Sequence, residues 1–128
     1  MQVFNEIDPL RSYLDTNLNE GRSVGFVPTM GALHEAHLSL VRYSIIDNDI
    51  TVVSIFVNPK QFNNPEDLTH YPRTLDKDLK LLEDKGCDIV FVPSVEVIYP
   101  EEVIQEYDFG QLDKVMEGLF RPGHFNGV

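Results

Sequence analysis

The sequence predicts an α/β domain built on a doubly wound parallel sheet, and three observations carry that prediction. The runs "DITVVSIFVNP" and "CDIVFVPS" are almost continuously apolar instead of alternating, as expected of strands buried on both faces of a parallel sheet. Segments with helical apolar spacing stand between the strand-like runs, which implies right-handed crossovers joining parallel neighbours. Polar segments follow the strands ("PTMGALH", "NPKQFNNPEDLTHYPR" and "PSVEVIYP"), where ligands collect beyond the carboxyl ends of such sheets.

Taken in order, Ile7, Leu10, Leu14 and Leu18 recur at helical spacing, and Gly21 is placed to end that helix. "SVGFVP" reads as a strand that Pro28 terminates. From His34 onward Leu38, Val41 and Ile45 mark a helix running to about Asp47. "DITVVSIFVNP" is the second strand. The polar stretch after it is too long to be a mere connector, and loops of that length are often functional. Leu75, Leu79 and Leu82 mark a helix between Thr74 and Lys85, with Thr74 as N-cap and Gly86 beyond its end. "CDIVFVPS" is the third strand, so the order is helix, strand, helix, strand, helix, strand. Past Tyr99 the pattern predicts a short strand over 103–107 and a short helix over 111–119. The sequence closes on the Gly-rich "RPGHFNGV", and three strands make about half of a usual doubly wound sheet. Residues 1–128 are therefore expected to be the front part of a longer protein.

Composition narrows the partners. The 128 residues suit one domain, and 42% hydrophobic with 24% charged residues fits a soluble globular protein. A formal net charge of −11 argues against nucleic acid, whose phosphates need clustered Lys and Arg. A small anion held by local dipoles stays compatible with it. No apolar run approaches the roughly 20 residues needed to cross a bilayer, and the N-terminus lacks a signal-peptide core. Neither membrane nor nucleic-acid partners are expected. Cys87 is the only cysteine, so no disulfide framework exists; a reducing, cytoplasmic location and a small apolar packing role follow.

The stretch "VGFVPTMGALHEAHLSLVR" is the most informative. His34 and His37 are spaced i, i+3, so their rings share one side of a helix. They fall in its first turn, where unpaired backbone N–H groups and the dipole favour negative charge. Imidazole donors added there suit phosphate oxygens, and Gly31 with Ala32 keeps the loop lean enough for close approach. Taken alone, the pair is equally consistent with surface or capping histidines. A zinc site fits poorly: His-Glu-Ala-His is one residue short of H-E-x-x-H and no third ligand cluster accompanies it. The glycine patterns of dinucleotide and Walker loops are absent.

"PTMGALHEAH" resembles the H-x-G-H signature of the class I synthetase and nucleotidyltransferase superfamily. With "VVSIFVNPKQF", "YPRTLDKDLKLL", "FVPSVEVIYP" and "MEGLFRPGHFNGV", the stretch from Val24 to Val128 resembles the pantoate–β-alanine ligase (pantothenate synthetase) family. The resemblance implies a Rossmann-like fold and a two-step reaction of pantothenate and coenzyme A biosynthesis. ATP, with Mg²⁺, and pantoate give pantoyl adenylate, and β-alanine then displaces AMP. It implies nucleotide binding by Pro28, Thr29, Met30, Gly31, Ala32, Leu33, His34, Glu35, Ala36 and His37. His34 and His37 would be the catalytic pair on the phosphates, His37 as proton donor. Met30, Asn58, Gln61 and Tyr71 would meet pantoate or β-alanine; Asn58 has an alternative role in capping the strand end. A primary amide such as Gln61 can donate and accept, which suits a hydroxy acid. Tyr71 and Arg73 would close the loop, with a structural ion pair as the alternative for Arg73. Glu117, Arg121 and His124 would lie near the pocket or a homodimer contact. The acid-rich stretch from Asp76 to Asp84 reads as a solvated helix face.

Two positions depart from the pattern: Ala36 stands where the family has glycine, and Asn126 where it often has arginine. The family's second glutamine, its Ser/Lys/Arg phosphate loop and its C-terminal lid domain have no counterpart in the 128 residues. The resemblance therefore makes 1–128 the N-terminal nucleotide- and pantoate-binding part. Another H-x-G-H nucleotidyltransferase, or a non-catalytic ATP-binding fragment, are the alternatives.

Overall fold

A computed structural model describes residues 1–100. The segments expected over 103–107 and 111–119, with Glu117, Arg121, His124 and Asn126, lie outside the described residues. Strands β1 (Gln2–Phe4), β2 (Val24–Thr29), β3 (Ile50–Ile55) and β4 (Ile89–Phe91) form one sheet in the order β1-β4-β3-β2. Every neighbouring pair is parallel, as the near-continuous apolar runs predict. Helices α1 (Ile7–Asn19), α2 (Glu35–Asp47) and α4 (Leu75–Lys85) supply the crossovers. A 3-10 turn (Pro59–Gln61) and α3 (Pro65–His70) occupy the long loop after β3, and α5 (Val95–Ile98) follows β4.

The sheet is covered on both faces, which is what doubly wound means in physical terms. Val27, Val53 and Val90 point to one face and pack with Leu38 and Val41 of α2 and Leu82 of α4. Ile50, Val52 and Ile89 point to the other and meet Leu10 and Leu14 of α1. All six residues of β3 are buried, at the centre of both layers. Val41, Val53, Leu82 and Val90 are wholly excluded from solvent, each contributing about 1.5–3 kcal/mol by burial.

Helix ends follow local chemistry. Gly21 (φ 82°) lies past the end of α1. There the amides of Gly21 and Arg22 donate to the carbonyls of Leu18 and Asn17, and only glycine adopts that left-handed turn without cost. Gly86 (φ 87°) does the same for α4. Thr74 occupies the N-cap position of α4, but its hydroxyl bonds the Asp78 carboxylate and not a backbone amide. Cys87 is buried, and desolvation first of all raises its thiol to about 11; it packs as a small apolar residue beside β4.

Two expectations need correction. Pro28 does not end β2, which runs on to Thr29. Among the described residues β2 has a neighbour on one side only, β3, and the Thr29 carbonyl accepts from the Phe56 amide at 3.0 Å. Thr29 thus faces β3, and Pro28, with no N–H to offer, faces away from the ladder. The sheet also has a strand, β1, where no strand is expected: three residues pairing with Ile89, Val90 and Phe91 are too short to show a period.

Candidate active site

The site begins where β2 ends. Thr29 is buried; its hydroxyl donates to the Ser54 carbonyl at 2.8 Å and accepts from the Gly31 amide at 3.2 Å. The chain then turns through Gly31 (φ 80°) and Ala32 (φ 50°), both left-handed. A Cβ on Gly31 would lie 3.1 Å from Asp78 Oδ2 and from Ile55 Cγ2. Leu33 drops its side chain into the core, and α2 starts at Glu35.

His34 is the N-cap of α2 and His37 sits three residues further on, in a capping box made of two imidazoles. His34 Nδ1 accepts from the Ala36 amide at 3.2 Å, and His37 Nδ1 accepts from the His34 amide at 3.1 Å. The ring centroids are 4.1 Å apart. An Nδ1 that accepts is unprotonated, so each neutral ring carries its proton on Nε2. The capping and phosphate readings are therefore compatible: one nitrogen of each ring serves the helix, and the other stays a donor. Burial first, then the neighbouring His34, lowers the His37 pKa from 6.5, while Asp78 opposes the shift. A neutral, donating imidazole is the result at neutral pH.

A cavity of about 380 Å³ opens beside this helix tip, lined by Pro28, Thr29, Met30, His37, Ser54, Phe56, Asn58, Gln61 and Tyr71. Seven of the expected residues thus share one space: Pro28, Thr29, Met30, His37, Asn58, Gln61 and Tyr71. His34 is exposed and does not line this space; its ring touches that of His37, tilted by 43°. Glu35 and Ala36 lie exposed on the first turn. Gly31 turns to a second, more apolar cavity of about 300 Å³, shared with Met30, Thr74 and Asp78. Leu33 serves the core instead of the cavity.

Asn58 is buried, and its Oδ1 accepts from the Lys60 amide at 3.0 Å and the Tyr99 hydroxyl at 2.8 Å. It caps the 3-10 turn that carries Gln61. Tyr71 meets Phe62 edge-on at 5.7 Å. Arg73 neither covers the cavity of about 380 Å³ nor forms an ion pair among the described residues: its guanidinium donates to the carbonyls of Leu68, Thr69 and Tyr71, capping the C-terminus of α3. Among the described residues no group of three or more His, Cys, Asp or Glu could hold a metal ion, and no helix is long and apolar enough to cross a membrane.

Phe56 and Ser54 line the cavity without having been expected there, as β3 continues into it. Asp78 is an exception to the solvated-face expectation: it is 1% exposed, whereas Asp76, Glu83 and Asp84 are exposed. The signal lies in its position, three residues after Leu75 and four before Leu82, on the apolar side of α4.

A parallel sheet covered by helices on both faces, with paired imidazoles at the tip of the helix after β2, defines a Rossmann-like domain. The family model for pantoate–β-alanine ligase matches residues 2–128. A pantothenate synthetase of Phocaeicola vulgatus is 56% identical over all 128 residues, and one of Aquifex aeolicus 51% identical over 98% of the chain. The chain spans 45% of the length of each. A crystal structure of pantoate–β-alanine ligase from Francisella tularensis, complexed with β-γ ATP and β-alanine, superposes on 99% of the chain with a TM-score of 0.91 at 41% identity. The match covers 49% of that structure. Pantothenate synthetase from Thermus thermophilus gives a TM-score of 0.87 at 43% identity, over the whole chain and 45% of its own. The chain belongs to the pantoate–β-alanine ligase family.

Proposed function

We propose that this chain is the nucleotide- and pantoate-binding domain, residues 1–128, of an ATP-dependent ligase joining pantoate to β-alanine. The pantoate carboxylate is ionised at neutral pH and needs no strong base. It attacks the α-phosphorus of ATP, the bond to pyrophosphate breaks, and pantoyl adenylate forms; the β-alanine amine then displaces AMP. The first step needs alignment, and relief of charge as pyrophosphate leaves. The Nε2–H groups of His34 and His37, on a positively polarised helix tip, supply that relief, with His37 donating to the leaving phosphate. The Gln61 amide takes the hydroxy acid, Asn58 holds the turn beneath it, and Tyr71 and Met30 wall the space. Pro28 to Ala32 and His34 to His37 line the nucleotide, and Leu33 anchors that loop in the core. Mg²⁺ would enter as the ATP complex, since this ion keeps phosphate and water ligands. A cytoplasmic homodimer acting on small molecules alone, with Glu117, Arg121 and His124 near pocket or contact, completes the proposal.

One observation carries most of this. The two imidazoles are oriented by the backbone itself, with His37 on the same cavity as Gln61. Pantoate-dependent ATP–pyrophosphate exchange by the natural full-length protein is the test. Exchange that needs pantoate supports the proposal; exchange with a phosphate-bearing acceptor in its place would transfer the chain to another substrate class.

A further inference from the structure

Asp78 lines none of the cavity beside the histidines, yet the turn that presents them is fastened to it. Its Oδ2 accepts from the Ala32 amide and its Oδ1 from the Leu33 amide, each at 2.9 Å. The Thr74 hydroxyl lies 3.3 Å from both oxygens. The carboxylate is 1% exposed, and such buried, charge-assisted bonds are the strong ones. What they hold is an unfavourable conformation. Ala32 has φ 50°, a left-handed conformation that a side chain disfavours. The next residue after this pair of amides is His34, whose own amide is held by His37 Nδ1. A continuous path therefore runs from the α4 carboxylate through the turn to both imidazoles.

We propose that Asp78 is a positioning residue, whose buried carboxylate fixes the left-handed Gly31–Ala32 turn and thereby aims the His34 and His37 rings at the phosphate site. This rests on the phosphate reading of the helix tip. The charged groups acting on His37 are His34, at the cap of its own helix, and Asp78, from α4. Asp78 favours the imidazolium and His34 opposes it, so removing the carboxylate moves His37 in a known direction.

The test is Asp78→Asn in the natural full-length protein, with exposed Asp76→Asn on the same helix as control. The side-chain amide introduced by Asp78→Asn would turn its N–H₂ against a backbone N–H, so one of the two amide bonds is lost. The expected results are a lower His37 pKa by ring NMR and at least about a tenfold fall in ATP–pyrophosphate exchange, with Asp76→Asn leaving both unchanged. An Asp78→Asn protein that is folded and keeps the His37 pKa, or keeps its exchange rate, overturns the proposal. Should the variant not fold, hydrogen exchange on the unaltered protein decides: Ala32 and Leu33 amides as protected as those of β3 support the anchor, and rapid exchange at both overturns it. The phosphate reading fails separately, if ATP leaves the wild-type ring resonances unmoved.

Discussion

His34 and His37 hold each other's helix turn: the His34 amide donates to His37 Nδ1 at 3.1 Å, and the rings lie 4.1 Å apart. A structural task and a chemical one are therefore carried by different nitrogens of the same side chains, and substitution can separate them. His34→Asn keeps an N-cap acceptor, so stability is expected to change little, whereas His34→Ala loses about 1 kcal/mol. Both are expected to lower ATP–pyrophosphate exchange by about 10²- to 10³-fold, the usual loss for one charge-stabilising donor. Chemical denaturation and exchange on the same samples check this. Equal activity for His34→Asn and wild type would leave only the cap.

The His37 pKa lies below 6.5, chiefly because burial disfavours the imidazolium. The unfolded chain, with the higher pKa, binds more protons in that window, so folding stability contributed by neutral His37 is complete above 6.5 and is lost as pH falls toward the folded pKa. Denaturant midpoints of wild type and His37→Gln should accordingly converge as pH falls below 6.5. A gap that widens on acidification contradicts the assignment.

Ala36 is exposed on the first turn of α2, and its amide is the one His34 accepts. Ala36→Gly is expected to cost about 0.5–1 kcal/mol of stability through backbone entropy. On the proposed nucleotide reading, removing this exposed methyl opens the helix tip, so Ala36→Gly should bind ATP more tightly. Calorimetric titration beside a melting curve reads both; weaker binding would show that the methyl is not in the way.

Tyr99 donates to Asn58 Oδ1 from 41 positions away in the chain. Tyr99→Phe removes one hydrogen bond, about 1 kcal/mol, and frees the turn that carries Gln61. The expected result is a several-fold rise in the KM for pantoate with the KM for ATP unchanged. Steady-state kinetics with each substrate varied in turn separates the two, and a rise confined to ATP would contradict it.

Much of the fold is legible in the sequence because its signals are local. β3 and β4 announce themselves as apolar runs, α2 and α4 as periodic leucines and valines, and Gly21 and Gly86 as stops. Pro28 misleads because a strand tolerates proline where the missing N–H points away from the paired neighbour, which the register with β3 decides and the sequence does not show. The histidine pair is visible for the same reason as the helices: three residues separate it. Its capping geometry is not, since imidazoles replace the usual Ser and Glu of a capping box. Asp78 is hidden by its charged neighbours Asp76, Lys77 and Lys80, and its partners Ala32 and Leu33 lie 46 and 45 positions away. The link from Asn58 to Tyr99 is hidden by the same long separation.

The most direct test of the central claim is nitrogen-15 NMR of the two imidazole rings at neutral pH, titrated with ATP. Both rings should be neutral with the proton on Nε2, and both Nε2 resonances should shift saturably as nucleotide is added. A protonated Nδ1 on either ring in the free protein, or resonances that ATP leaves in place, would contradict it.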